Sequence, residues 1–266
     1  MNLIKSTTTF SFFTFLSRIL GYIRDFLIAI TLGSGPISDA FFVAFRIPNT
    51  FRRLFAEGTF NAAFVPSYSA ELKKSKKNAK EFANQIFNFL TVGLLILVFL
   101  IEIFMPIFIN LIAPGFSDNK SKLELAINLT RITFPFLFFI SLASYFSAIL
   151  NSHNKFALAS AAPIILNILL IIVLLFGAKL GDQLVVQLCY AISIAGFLQL
   201  LILYFFSRKN FSPKISLKFN FNKKIKFFFK KLLPSIFSSG VIQISILVGT
   251  IIASFQAGAV SYLYYA

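Results

Sequence analysis

Seven apolar runs of bilayer-crossing length constrain this 266-residue chain more than any other feature. They lie at roughly 7–32, 37–68, 83–112, 125–150, 156–178, 184–206 and 233–257, and an eighth opens near 259. About 20 mostly apolar residues cover the hydrocarbon core of a bilayer as a helix, the form that satisfies every backbone amide within one segment. The expected fold class is therefore an all-α polytopic membrane protein. With 58% hydrophobic residues and a mean hydropathy of +0.83, the composition lies well outside that of soluble domains. Turn-forming or polar residues bound each run: Gly33-Ser34-Gly35-Pro36, a lysine cluster, Pro114-Gly115 with Ser117-Asp118-Asn119, and Asn151 to Lys155. The first run is too long and too charged for a cleavable signal peptide and reads as a retained helix. A single cysteine, Cys189, excludes an internal disulfide and a cysteine metal cluster and reads as an inert buried thiol. No cofactor is expected.

The net charge of +16 does not imply nucleic acid, because in a membrane chain its distribution between loops carries the information. With the N-terminus inside, the cytoplasmic segments hold Lys5, the five lysines from Lys73 to Lys80, Lys155, and the nine basic residues from Arg208 to Lys231. The opposite loops hold only Lys120, Lys122 and Lys179. This asymmetry sets a cytoplasmic N-terminus and an even helix parity up to the long basic connection. Within that connection Ile225, Phe228, Phe229 and Leu232 fall on one helical stripe with lysines around them, which suits a helix lying on anionic membrane lipids. A solvated basic linker is the alternative. Either way it divides the chain into a six-helix region at 1–206, a connector at 207–232 and a further region at 233–266.

The first two runs carry charges that a bilayer interior tolerates only when they face protein or a water-filled cavity. At about 100° per residue, Ser17, Arg18, Gly21, Arg24, Asp25 and Ile28 share one arc of the first helix, and the surrounding leucines, isoleucines and Phe26 fill the rest. In the second run Asp39, Arg46, Asn49, Arg53 and Glu57 form a stripe. Arg53 and Glu57 make an i, i+4 pair. Arg52 lies about 100° off that stripe, and a kink at Pro48 would re-aim it. Two readings follow. The arginines line a cationic cavity that holds an anion through paired guanidinium hydrogen bonds. Alternatively they are spent internally, Arg18 or Arg24 on Asp25 and Arg53 on Glu57. Five arginines against Asp25, Asp39 and Glu57 leave two positive charges over, which favours the cavity.

Elsewhere the polar residues read as structural. His153 sits in a turn without a second His or Cys nearby and reads as solvated, and Glu102 and Arg131 read as interfacial anchors. No Gly-rich phosphate loop, zinc spacing or Ser/His/Asp set is present, so the chain is not expected to be an enzyme.

The residues from Ser17 to Asp25 (SRILGYIRD) and from Ser38 to Asn49 (SDAFFVAFRIPN) resemble the signature of the MurJ (MviN) lipid II flippase family. So do Arg52 to Gly58 (RRLFAEG), Ala63 to Pro66, Ala113 to Phe116, Ile132 to Pro135, Ile149 to Asn151 and Tyr262 to Ala266. The resemblance implies a bacterial inner-membrane transporter of the multidrug/oligosaccharidyl-lipid/polysaccharide exporter superfamily, built of two six-helix lobes and two extra helices. Such a protein moves undecaprenyl-diphosphate-linked peptidoglycan precursor from the cytoplasmic to the outer leaflet by alternating access. By match to the family motif, Arg18, Arg24, Arg52 and Arg53 would bind the anionic headgroup, and Ser17, Asp25, Asp39, Arg46 and Glu57 would form the gating and charge network. The family's Asp-Arg after Tyr-Tyr-Ala and most of its second lobe do not occur in this sequence. The expectation is thus an N-terminal lobe with the first one or two helices of a second, unable to enclose a cavity or transport alone. Two competing readings are an exporter of another polyprenyl-diphosphate glycan and a non-transporting scaffold that recruits cell-wall synthesis proteins.

Overall fold

Proline, glycine and capping side chains cut the apolar runs into the helices of the computed structural model, which describes the backbone of residues 3–55, 59–177, 181, 183–216 and 219–266 and their side chains except at 3–7, 51–55 and 236–239. Helix α1 spans Leu3–Leu32 and stops at Gly33, whose φ of 59° is the left-handed conformation that favours glycine. Helix α2 spans Pro36–Phe55 and α3 spans Thr59–Lys74, so the run at 37–68, read as one span, comprises two helices. Ser75 caps α4, Lys76–Ile103, by accepting from the Asn78 amide at 3.0 Å. The lysines at 76, 77 and 80 are consequently helical, not a loop. A break at Phe104 separates α4 from α5, Met105–Ile112, and a short 3-10 helix follows at Pro114–Asp118.

Asn119 caps α6, Lys120–Thr133, through the Lys122 amide at 3.1 Å, and Phe134-Pro135 divides α6 from α7, Phe136–Ser152. Helices α8, Phe156–Gly177, and α9, Gln183–Ser207, follow. The basic connection is irregular up to Asn222, which caps α10, Lys223–Ser254. The amphipathic stretch and the seventh predicted span thus share one helix, whose axis turns by 47° between Lys223–Ser235 and Gly240–Ser254. Helix α11, Ala259–Tyr265, closes the order. Segments Lys76–Ile103, Lys120–Ser152, Phe156–Gly177 and Gln183–Ser207 are long and apolar enough to cross a bilayer, and the bent α10 makes a fifth.

The core centres on α7, which packs on α3, α4, α8 and α9, while α1 lies along α8 and α2 along α6. Tyr145 is fully buried and donates to the Ala83 carbonyl at 2.8 Å. Gly196 lets α9 approach α7 closely, since a Cβ there would fall 2.6 Å from the Phe136 ring. The outward face of α1 presents Phe12, Phe15, Tyr22, Phe26 and Ile30, all more than half exposed, as the predicted amphipathic arc requires. The apolar stripe of the basic connection turns inward. Ile225 and Phe228 are buried, and Phe228 meets Phe60, Phe64 and Phe82, so those two residues cover α3 and α4 instead of a lipid surface.

Pro48 lies inside α2 and has no amide hydrogen for the Ala44 carbonyl. The buried Thr133 hydroxyl of α6 donates to that carbonyl at 2.7 Å. Thr133→Val is therefore expected to cost about 1–3 kcal/mol, the penalty for a buried acceptor left unpaired, read as a lower midpoint of unfolding in detergent. A valine variant with unchanged stability would show that the contact does not support α2.

On the last turn of α3 the buried Glu71 carboxylate bridges Lys74 at 2.8 Å and Lys224 of α10 at 2.7 Å. Burial alone would push its carboxyl upward, but the hydrogen bonds and charges of Lys224 and Lys74 together hold it below the ordinary carboxylate range. Its folded pKa is depressed, so its contribution is present above the unfolded pKa and is lost as pH falls through the folded one. Glu71→Gln should flatten the acid limb of the stability curve below about pH 4, and an unchanged acid limb would contradict the bridge.

Candidate functional site

The polar arc of α1 faces inward and forms one wall of a cavity of about 730 Å3. Ser17, Arg18, Gly21 and Arg24 of α1 line it, together with Arg46, Asn49 and Thr50 of α2, Asn167 of α8, Gln199 of α9, and Gln243 and Tyr264 of α10 and α11. Helical spacing thus brings Ser17, Arg18, Arg24 and Arg46 to a common space. Of the other expected site residues, Arg52 and Arg53 lie on the last turn of α2 with side chains outside the described set, and Glu57 lies outside the described residues.

Arg24 is held in place on two sides. Its guanidinium donates to the Asp25 carboxylate at 2.9 and 2.7 Å and to Asn167 Oδ1 at 2.7 Å, and it lies over the Phe45 ring. Asn167 in turn donates to the Ser17 carbonyl at 2.9 Å, tying α8 to α1. The internal pairing of Arg24 with Asp25 is therefore real, but it spends one carboxylate on a half-buried guanidinium that still faces the cavity. Arg46 donates to Thr250 Oγ1 at 2.9 Å and to the Leu263 carbonyl at 3.4 Å, and sits over Tyr264. Arg18 is exposed to the cavity and makes no hydrogen bond or ion pair among the described residues.

Asp39 does not join the arginines. It is fully buried at the other end of the α2 stripe, where Oδ2 accepts from Lys122 Nζ at 2.7 Å and from the Gly258 amide at 2.9 Å. Its Oδ1 accepts from the Ser261 amide at 2.9 Å and the Ser261 hydroxyl at 2.6 Å. The carboxylate thus supplies the N-terminal cap that Gly258 lacks, at the end of α11 where backbone donors and the helix dipole favour an anion. Gly258 itself has φ of 78°, which a side chain would strain. Around this point Tyr265 donates to the Gly33 carbonyl at 2.8 Å, Tyr264 stacks on Phe42 at 4.1 Å, and the Gly115 amide donates to Ser254 Oγ at 3.0 Å. A Cβ on Gly115 would collide with the backbone of Ser254 and Phe255.

The sequence reading placed Lys122 in a loop. It is instead in the first turn of α6, buried, because a carboxylate with no exposed face needs a cation beside it. The reading also missed Asn167 and Tyr264, although an asparagine within an otherwise apolar span is a visible signal. His153, read as solvated, is half-buried and hydrogen-bonded to the buried Tyr68 hydroxyl at 3.2 Å, and burial followed by the charge of Lys155 lowers its pKa.

Removing the Asp39 carboxylate should release α11. In Asp39→Ala, hydrogen exchange at residues 258–265 is expected to rise by about tenfold or more, since several charge-assisted bonds are lost together. Exchange as slow as in the parent protein would show that α11 is held elsewhere.

Comparison with known proteins identifies the family. A family model described as lipid II flippase MurJ matches residues 28–266. A probable lipid II flippase MurJ of Rhizobium tropici is 39% identical over the whole chain, which covers 51% of that protein, and one of Rickettsia prowazekii is 38% identical with 52% covered. The chain thus spans about half the length of the curated relatives it matches. Among solved structures, a lipid II flippase MurJ in an inward closed conformation superposes with a TM-score of 0.78 at 33% identity, over 96% of this chain and 53% of that one. An outward-facing multidrug resistance transporter of the MATE family superposes with a TM-score of 0.65 at 21% identity and shares the fold. The helices, their order and the matched residues place the chain in one family, and it belongs to the lipid II flippases of the MurJ family.

Proposed function

We propose that the protein moves lipid II, the undecaprenyl-diphosphate-linked peptidoglycan precursor, across a bacterial inner membrane by alternating access. The observation that carries this reading is the convergence of Arg18, Arg24 and Arg46 on one cavity whose lining, among the described residues, contains no carboxylate. Lys122 neutralises Asp39 at a distance from the cavity, so Asp39 does not offset the arginines there. Guanidiniums suit a diphosphate because their paired donors match its oxygens and they stay charged when water is excluded. Arg24, already oriented by Asp25 and Asn167, would bind with little reorganisation. Arg18 supplies an uncommitted fork, and Arg52 and Arg53 are proposed to extend the set from the next turns of α2.

Alternating access needs contacts between the first lobe and the following helices that can open in turn. The Asp39 network and the Glu71–Lys224 bridge are such contacts at opposite ends of α10, and we assign them gating roles. The lysine distribution supports placing the N-terminus, the junction of α3 and α4, and the start of α10 on the cytoplasmic side. Burial of Lys122 strengthens that assignment, because it removes a cation from the opposite surface.

In the protein reconstituted in vesicles, Arg24→Ala is expected to weaken binding of lipid II by about 10- to 150-fold, the range for losing a charged hydrogen bond to a desolvated anion. Arg24→Lys should recover little of it, because an ammonium cannot reproduce the two-pronged geometry. Undiminished binding when Arg18 and Arg24 are both alanine would leave these arginines with helix-pairing roles only.

A further inference from the structure

A smaller cavity of about 210 Å3 adjoins the first, sharing Phe10, Ile140, Ser160, Pro163 and Gln199 as walls, and runs between α3, α7, α8 and α9 toward the turn that holds His153. Its chemistry is different. Among the described residues no ionisable side chain lines it, and its polar groups are Asn61, Ser144, Ser147, Asn151, Ser160 and Gln199. Three of these carry buried atoms with no hydrogen-bond partner among the described residues: Asn61 Oδ1, Asn151 Oδ1 and Gln199 Nε2. Pro163 also has no amide hydrogen to give the Ala159 carbonyl, and both residues line this space.

Folded proteins leave few buried polar atoms unpaired, and such atoms converging on one space indicate that something fills it. About 10–15 Å3 of comparable volume holds one water, so the annex has room for a ring-sized group. A neutral occupant fits, because no described side chain there carries a charge to match an ion, and it must offer both donors and acceptors, because amide oxygens and an amide nitrogen are left open together. Hydroxyl and N-acyl groups on a sugar ring meet these conditions, and the Phe10 ring on the shared wall offers an apolar surface for a pyranose face.

We propose that the annex is the subsite for the N-acylated sugar adjoining the diphosphate, read by Asn61, Asn151 and Gln199 while the phosphates stay with the arginines. This rests on the diphosphate-lipid reading above and divides the headgroup into a charged part and a neutral part held in separate compartments.

The test compares equilibrium binding of undecaprenyl diphosphate and of the same lipid bearing an N-acetylated sugar, using the full chain in vesicles. Asn151→Leu, at a residue that lines the annex and not the arginine cavity, removes an open amide, and Ser147→Leu fills the annex from a half-buried position. Each is expected to weaken the sugar-bearing lipid by about 3- to 10-fold and to leave the bare diphosphate lipid unchanged, the retained binding also reporting a folded protein. Should Asn151→Leu not fold, Ser147→Leu decides alone. Equal binding of the sugar-bearing lipid by parent and variants would mean that the annex holds water only, and equal weakening of both lipids by Ser147→Leu would also overturn the assignment. Arg24→Ala separates the two proposals, because it should weaken both lipids. If it weakens neither while the annex variants still discriminate, the diphosphate assignment falls and the sugar subsite stands.

Discussion

A carboxylate with no exposure at all organises the end of this protein where α1, α2, α6 and α11 meet. Asp39 in an apolar surround would be untenable alone, since an unpaired buried charge is more costly than almost any other single defect. Lys122 supplies the opposite charge, and the Gly258 and Ser261 amides with the Ser261 hydroxyl supply the remaining bonds. Those donors lie on segments far apart in sequence, so the solvation of one side chain requires the first lobe and the following helices to come together. Packing of Tyr264 on Phe42, and of the Gly115 turn against the end of α10, then follows from that juxtaposition.

The same physical rule governs the cavity with a different outcome. Arg24 has its charge met by Asp25 and its remaining valence by Asn167, whereas Arg18 faces the open space. Buried ion pairs contribute little net stability when the desolvation of both partners is counted. Their value in such a place is orientation: a guanidinium fixed on two sides presents its remaining donors in a set direction.

Much of this was legible in the sequence. The apolar runs revealed the helices, and the 3.6-residue period of α1 placed Ser17, Arg18, Gly21 and Arg24 on the inward arc before any coordinates. The breaks at Phe104 and between α6 and α7 fall beside Pro106 and Pro135, prolines that mark a kink or a helix start in the sequence even though apolarity continues through them. Periodicity also puts Asp39 and Arg46 on the same stripe, yet they serve different ends of α2, since position along the axis separates residues that share a face. Asn167 and Lys122 escaped for a common reason: each gains its role from a partner more than 80 positions away, at separations of 143 and 83. Long-range pairing leaves no trace in local pattern.

Helix α10 has a mechanical meaning that follows from where it is pinned. Near its start Lys224 is tied to Glu71, and at its end Ser254 is tied to Gly115, so one 32-residue element is anchored at both extremities. At about 1.5 Å per residue such a strut would reach close to 48 Å if straight, roughly the full depth of a membrane with its headgroups. It is not straight. The 47° elbow beside Pro234 divides it into two arms of different direction, so that under the gating roles proposed above one anchorage could let go while the other keeps its grip. A rigid rod in the same position would force both ends to yield in a single stroke and leave the interior open to both surfaces at once. Under those proposed roles, the elbow would turn a leak into a sequence of steps.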